Sequence, residues 1–181
     1  EVEMALSLNS QFHTAIKNIP YVTWTYYTSR NRFLNLAPHA VSKEYQFNMD
    51  EPDKSAFLTG GLPENNPDRK RFWTSAYADG AGKGLMITCA SPVYDGDRFL
   101  GTVALDYTLV ALNKFLKNLG FDLFVINNEN QLLAHPFLCK TEDKNVKSLE
   151  DALPAENYEE TVRRIKTETT DIQSVGDDLV Y

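Results

Sequence analysis

The residue best placed to do chemistry is a carboxylate at the end of an apolar strand. In Phe99-Leu-Gly-Thr-Val-Ala-Leu-Asp106-Tyr107 the side chains of a strand alternate. Leu100, Thr102, Ala104 and Asp106 then share one face, and Phe99, Val103, Leu105 and Tyr107 share the other. A charge buried there without a partner is costly, so Asp106 must either cap the backbone of the helix that follows or face a cation. Both roles stay open on the residues alone: a structural cap, or the partner of a ligand amine or ammonium.

A second cluster is Arg69-Lys-Arg-Phe-Trp-Thr-Ser-Ala-Tyr77-Ala-Asp79. It sets three cations, two large aromatics with polar edges and a carboxylate beside an expected strand, the mix by which pockets orient small polar ligands. The plainer reading is a solvated basic turn with Trp73 and Tyr77 in the core, and it suits Arg69 and Lys70 better than the aromatics. On the strand Tyr21–Thr28, Trp24 and Tyr26 point one way and Tyr27 the other, so at most one set can line a cavity.

Other motifs fall away. Gly80-Ala-Gly-Lys-Gly84 lacks the Ser or Thr after Lys83 and the first glycine that a phosphate loop needs, and a turn between strands explains its glycines. His13, His39 and His135 are far apart and no Cys-x-x-Cys or His-x-x-x-His pair exists, so no metal site is expected. There is no Gly-x-Ser-x-Gly elbow and no other catalytic signature. No cofactor and no enzymatic activity are expected of this segment.

These residues need a scaffold, and 181 residues allow one domain or two small ones. A hydrophobic share of 43% and a charged share of 24% are those of a globular chain. The net charge of −7 repels a phosphate backbone, which argues against nucleic acid. The longest uncharged stretch, Met4 to Ile16, is too short and polar to span a membrane. The first and last residues read as cuts within something longer. Cys89 and Cys139 read as unpaired buried thiols, with a disulfide as the alternative.

Ala5, Leu8, Phe12, Ala15 and Ile16 mark one face of an opening helix that stops at Asn18-Ile-Pro20. Tyr21–Thr28, the polar Ser29-Arg-Asn-Arg32 and Phe33–Ala37 read as a hairpin. Residues 38–67 read as loop with one or two short helices. Three antiparallel strands follow, Thr74–Ala78, Leu85–Tyr94 and Phe99–Tyr107, with Asp95-Gly96 as the tight turn. Leu109, Leu112, Phe115, Leu116 and Leu119 then form a helical face capped by Thr108 and ended by Gly120. A second hairpin, Phe121–Asn127 and Gln131–His135, opens a smaller module, in which Ser148-Leu-Glu-Asp151 caps a short helix. The expected division is a helix at 1–20, a first module at 21–120 and an incomplete second module at 121–181.

Four segments together resemble the double Cache sensor domains, tandem PAS-like modules on the outer side of bacterial membrane receptors. They are Tyr26-Tyr-Thr-Ser-Arg-Asn-Arg-Phe33 to Pro38, Phe72-Trp-Thr-Ser-Ala-Tyr-Ala-Asp79, Gly84-Leu-Met-Ile-Thr-Cys-Ala-Ser-Pro-Val-Tyr94, and Phe99-Leu-Gly-Thr-Val-Ala-Leu-Asp106. Phe124 to Pro136 is similar to the opening of the membrane-proximal module. The resemblance implies an α+β fold of antiparallel PAS-like sheets behind an N-terminal helix. It implies a small-molecule ligand in the membrane-distal module, and it carries the binding role to Tyr77 and Asp106. Arg71, Trp73 and Thr88 are the further pocket candidates, Arg71 for an anionic end of the ligand. The amino-acid-binding members carry an Arg-x-Trp-Tyr motif well upstream of that tyrosine. Here Arg71-Phe-Trp73-Thr74 lies close to Tyr77 and lacks the second aromatic, which argues against an α-amino acid. The resemblance further implies a periplasmic or extracellular segment of a membrane-anchored, homodimeric receptor. Its output would be a diguanylate cyclase, histidine kinase, chemoreceptor or phosphatase, with the sequence style nearest to sensors fused to diguanylate cyclases. An interaction module with no small-molecule ligand is the competing class.

Overall fold

The computed structural model describes residues 1–39, 55–118, 124–140, 143–153, 155–167, 173–175 and 178–180. The opening helix runs as α1 (Val2–Ser7) and α2 (Asn9–Asn18), joined at Leu8, whose own backbone is helical. It ends where Ile19, forced out of the helical region by Pro20, turns extended. Five sheet strands follow the order of the sequence reading: β1 (Trp24–Ser29), β2 (Leu34–Ala37), β3 (Phe72–Trp73), β4 (Tyr77–Ala78) and β5 (Leu85–Asp95). A sixth, β6 (Arg98–Thr108), completes an antiparallel sheet of order β2-β1-β6-β5-β3, with β4 also paired to β5. The short helix α3 (Ala56–Thr59) lies within the expected 38–67 loop, whose residues 40–54 are outside the described set.

The sheet is apolar on both sides because both sides are covered. One face carries Tyr27, Ala37, Val93 and Val103 against Ala5, Leu8, Phe12 and Ile16 of the opening helices. Asn35 fastens that contact, donating to the Ala5 carbonyl at 2.6 Å and to Asn9 Oδ1 at 2.8 Å. The other face carries Trp24, Tyr26, Leu34, Leu36, Phe72, Tyr77, Met86, Ala90 and Ala104, with Phe57 of α3 packed against them. β1, in the middle, is buried along its whole length.

Two strands depart from simple alternation. Of the expected strand Thr74–Ala78 only Tyr77–Ala78 is strand, with a second short piece, Phe72–Trp73, before it: Trp73 pairs with Cys89 and Tyr77 with Met86, so four steps on one strand oppose three on the other. Thr74 takes up the slack, its amide donating to the Thr88 carbonyl at 2.9 Å and its hydroxyl accepting from the Thr88 amide at 3.0 Å. In β6 a bulge opposite Val93 and Tyr94 turns Phe99 onto the face of Thr102, instead of the face of Val103. The adjoining Gly101 must lack a side chain, because a Cβ there would run into the Thr28 carbonyl oxygen.

Thr108 caps the next helix, α4 (Leu109–Asn118), accepting from the Ala111 amide at 3.0 Å. Beyond it β7 (Val125–Ile126) and β8 (Leu132–Ala134) form a separate hairpin. A 3-10 turn at Leu149–Asp151, closed by the Ser148 amide on Asp151 at 2.7 Å, is the expected short helix. α5 (Ala155–Thr167) and the hairpin β9 (Gln173–Val175) with β10 (Asp178–Val180) complete the described elements. The boundary expected at 120/121 lies outside the described residues. Both cysteines are free and half-buried, and burial pushes both thiols up; Arg71 partly offsets this at Cys89. No described helix is long and apolar enough to cross a membrane.

Candidate functional site

Asp106 stands in register between Trp24 of β1 and Thr88 of β5 and is only 4% exposed. Three hydroxyls converge on it. Its Oδ1 accepts from Tyr26 at 2.9 Å and from Thr88 at 2.7 Å. Thr88 gives its proton to the carboxylate, so the 2.7 Å contact between Thr88 and Tyr77 is one in which Tyr77 donates. Oδ2 is left with one long contact, 3.5 Å from the Tyr77 hydroxyl. Thr108 caps α4, and the hydrogen bonds found on the Asp106 carboxylate come from the side chains of Tyr26, Tyr77 and Thr88, none from the backbone of that helix.

The carboxylate borders a cavity of about 60 Å³ lined by Trp24, Tyr26, Leu34, Leu36, Phe57, Tyr77, Asp106 and the turn Asp79-Gly80-Ala81. One water requires about 10–15 Å³, so this volume admits a small head group, with the rest of any larger ligand outside it. The walls are aromatic: Phe57 meets Tyr26 edge-on at 5.3 Å and Tyr77 at 6.4 Å between ring centroids. The charges that reach the cavity lining from described residues are the two carboxylates, Asp79 and Asp106. Lys83 is not part of that lining; its Nζ lies 5.6 Å from the centre of the Trp24 ring.

Burial lifts the Asp106 carboxyl to about 6, against the pull of the Thr88 and Tyr26 hydrogen bonds, and the charge of Asp79 adds to the rise. The same burial and the nearby Asp106 charge push Tyr26 and Tyr77 well above the usual phenol value. Both phenols therefore remain donors at any ordinary pH. The arrangement leaves a negative oxygen facing a ring-lined space, a seat for a cation carrying an N–H.

Of the five expected site residues, the structure brings Asp106, Tyr77 and Thr88 together. Trp73 lies on the opposite face of the sheet, 57% exposed, its ring 6.4 Å from that of Tyr107. It borders an apolar groove with Ile19, Tyr21, Ile87, Leu112 and Phe115. Arg71 is exposed and does not line the cavity. Arg69 is taken up by the β5–β6 turn, bonding Asp97 at 2.6 Å and lying 4.2 Å over the Tyr94 ring. The sequence reading separated Trp24 and Tyr26 from Tyr27 correctly and left open which set faces a cavity; it is the first. It named Asp79 only as the carboxylate of the 69–79 cluster, and it missed Phe57, which has no motif around it, and Leu34 and Leu36.

Gly80–Gly84 is a turn between β4 and β5, with Gly82 and Gly84 at positive φ and the Lys83 amide held by Asp79 at 2.9 Å. Among the described residues no group of three or more His, Cys, Asp or Glu could hold a metal ion.

No protein-family model matches the chain. The methyl-accepting chemotaxis protein PctB of Pseudomonas aeruginosa is 29% identical over 112 residues, an alignment covering 53% of this chain and 17% of that protein. Among solved structures, the ligand-binding domain of the P. aeruginosa amino acid chemoreceptor PctC, in complex with GABA, superposes with a TM-score of 0.62. Its identity is 20%, over 86% of this chain and 66% of that one. The ligand-binding domain of the Pseudomonas fluorescens chemoreceptor CtaA, in complex with L-serine, gives a TM-score of 0.60 at 19% identity, over 83% and 60% of the two chains. An extracellular domain assigned to the histidine kinase mmHK1S-Z3 gives 0.61 at 18%, over 92% and 67%. The chain thus spans a small part of its curated relative and about two thirds or less of the chemoreceptor domains. With its N-terminal helix and its antiparallel sheet, the chain has the PAS-like fold of the Cache-type sensor domains of bacterial membrane receptors.

Proposed function

We propose that this chain is the extracytoplasmic sensor segment of a transmembrane signalling receptor, and that it binds a small amine-bearing molecule in the cavity beside Asp106. The observation that carries the reading is Asp106 Oδ2, a buried carboxylate oxygen with no hydrogen bond shorter than 3.5 Å, facing a ring-lined cavity. A ligand ammonium donates to that oxygen, while Trp24, Tyr26, Phe57 and Tyr77 supply faces for its charge and hydrocarbon. The ligands named for the solved neighbours, GABA and L-serine, both carry an amino group. They also carry a carboxylate, for which the described lining offers two acids and no cation; a plain amine suits it better than an α-amino acid.

In this reading residues 21–120 are the membrane-distal ligand-binding module and 121–181 part of the membrane-proximal one. The intact receptor is a homodimer with its sensor in the periplasm, and ligand binding favours one of two arrangements passed to a cytoplasmic output, a diguanylate cyclase or histidine kinase. A second reading, an interaction module without a small ligand, draws on the exposed apolar groove around Trp73.

A thermal-shift screen of the purified domain against primary amines, amino acids and carboxylates separates the two. A hundredfold excess over Kd raises Tm by roughly 5–10 °C for a chain of this size. Amines are expected to give that shift and carboxylates none; no shift with any compound selects the interaction module.

A further inference from the structure

We propose that the turn Asn127–Gln131 of the second hairpin reads the state of the cavity through the three residues Thr74–Ala76, with Gln131 as the positioning residue. The inference rests on the cavity being the ligand site. Two of the three hydroxyls around Asp106 belong to residues anchored in that stretch. Thr88 is held by Thr74 through both backbone and side chain, and Tyr77 directly follows Ala76.

Past Thr74, which stays on β5, Ser75 and Ala76 have no strand partner of their own, because the extra residue between β3 and β4 breaks the ladder there. The polar groups of Ser75 and Ala76 find partners in the second hairpin instead. The Ala76 amide donates to Gln131 Oε1 at 2.9 Å and the Ser75 hydroxyl to Glu129 Oε1 at 2.6 Å. Gln131 is in turn fixed: the Asn127 side-chain amide donates to its Oε1 at 2.6 Å, and the Gln131 amide donates to Asn127 Oδ1 at 2.9 Å. A short chain of bonds thus runs from Asp106 through Tyr77 and Thr88 to Thr74–Ala76, and on to Asn127–Gln131.

A chain of contacts transmits a signal only if one of its members has two positions. Here it is the Tyr77 hydroxyl, with one acceptor at 2.7 Å on Thr88 and a second at 3.5 Å on Asp106 Oδ2. A ligand ammonium on Oδ2 takes the second acceptor away and fixes Tyr77 on Thr88. An empty, ionised Asp106 leaves both open, and β4, a strand of two residues, moves with the ring.

The test needs no ligand. Asp106→Asn places a donor where Oδ2 stands, and Tyr77→Phe removes the two-position hydroxyl; amide hydrogen exchange is read by peptide mass spectrometry. Both variants are expected to change exchange in 72–90 and also in 124–134, the latter by at least about twofold, the lower end of coupling between linked sites. Gln131→Ala should abolish the change in 124–134 while sparing that in 72–90, and Gln131→Glu, which keeps the acceptor, should restore it. Changes confined to 72–90, or transmission that survives Gln131→Ala, overturn the proposal, as does no change anywhere. Amine binding without this coupling sinks the present inference alone; coupling without any amine binding sinks the functional reading alone.

Discussion

The two faces of one sheet solve opposite problems. On the β5 and β6 strands, Thr88 is bonded to Asp106, which borders a small cavity where a charge is buried and nearly, though not fully, bonded. One residue away on the same strands, Ile87 and Tyr107 point to a wider groove of about 270 Å³ with an apolar lining. The groove has the space and the cavity has the chemistry. A large apolar surface binds many things weakly, whereas a buried carboxylate with an open acceptor rejects whatever cannot fill it, because an unfilled polar group is costly. Selectivity should therefore reside on the Asp106 face, and volume alone would point to the wrong side.

Asp106→Asn breaks this contrast most strongly. For a primary amine the variant replaces a charged acceptor by a donor, and the expected loss of affinity is about a hundredfold or more, in line with removing one partner of a buried charge pair. Calorimetric titration checks it, and retained affinity would show that the ligand sits elsewhere. The same residue sets the pH response. Its carboxyl is raised to about 6 from an ordinary value near 3.8, so the folded state holds a proton that the unfolded state has released between those values. The stability tied to that proton is present in full below pH 3.8 and is lost as pH rises through 6; about 3 kcal/mol is at stake. Asp106→Asn should remove this term, leaving the ligand-free domain more stable than wild type at pH 7.5 and nearly equal to it at pH 3.5. Urea melts at the two pH values decide the matter; a variant less stable at pH 7.5 would mean that the buried charge is no burden. Amine affinity should in turn fall about tenfold for each pH unit below 6, as proton and ammonium compete for one oxygen.

Much of this was legible in the sequence, and the misplaced strand residues share one cause. The periodicity of two in β1 sorted Trp24 and Tyr26 from Tyr27, and the apolar run before Asp106 marked a charge in need of a partner. Thr108 as a helix cap and Asp95-Gly96 as a tight turn follow from local chemistry, and local chemistry prevailed. Trp73 and Tyr77 are four residues apart and should share a face on a regular strand. They do not, because one extra residue at Thr74–Ala76 reverses the sense of the alternation. Phe99 was misplaced by the bulge in β6 for the same reason. An added residue that the opposing strand does not match is invisible without the pairing. Phe57 was illegible for another reason: its role comes from where α3 lands on the sheet, not from anything beside it in the chain.

Trp73 is the finest test of the contrast. Its ring stands 57% exposed and its principal ring contact is Tyr107, so Trp73→Ala should cost about 1 kcal/mol or less. The fluorescence of the protein simplifies in the same step, since Trp24, which lines the cavity, is the one tryptophan left. An amine entering beside Asp106 should perturb that emission with the wild-type midpoint, within about twofold, because Trp73 lies on the other face of the sheet and is not among the described residues that line the cavity. A midpoint that moves by tenfold would place the ligand, or a strong coupling to it, in the groove. Trp24→Phe gives the converse experiment, in which Trp73 should remain silent to the amine while binding continues.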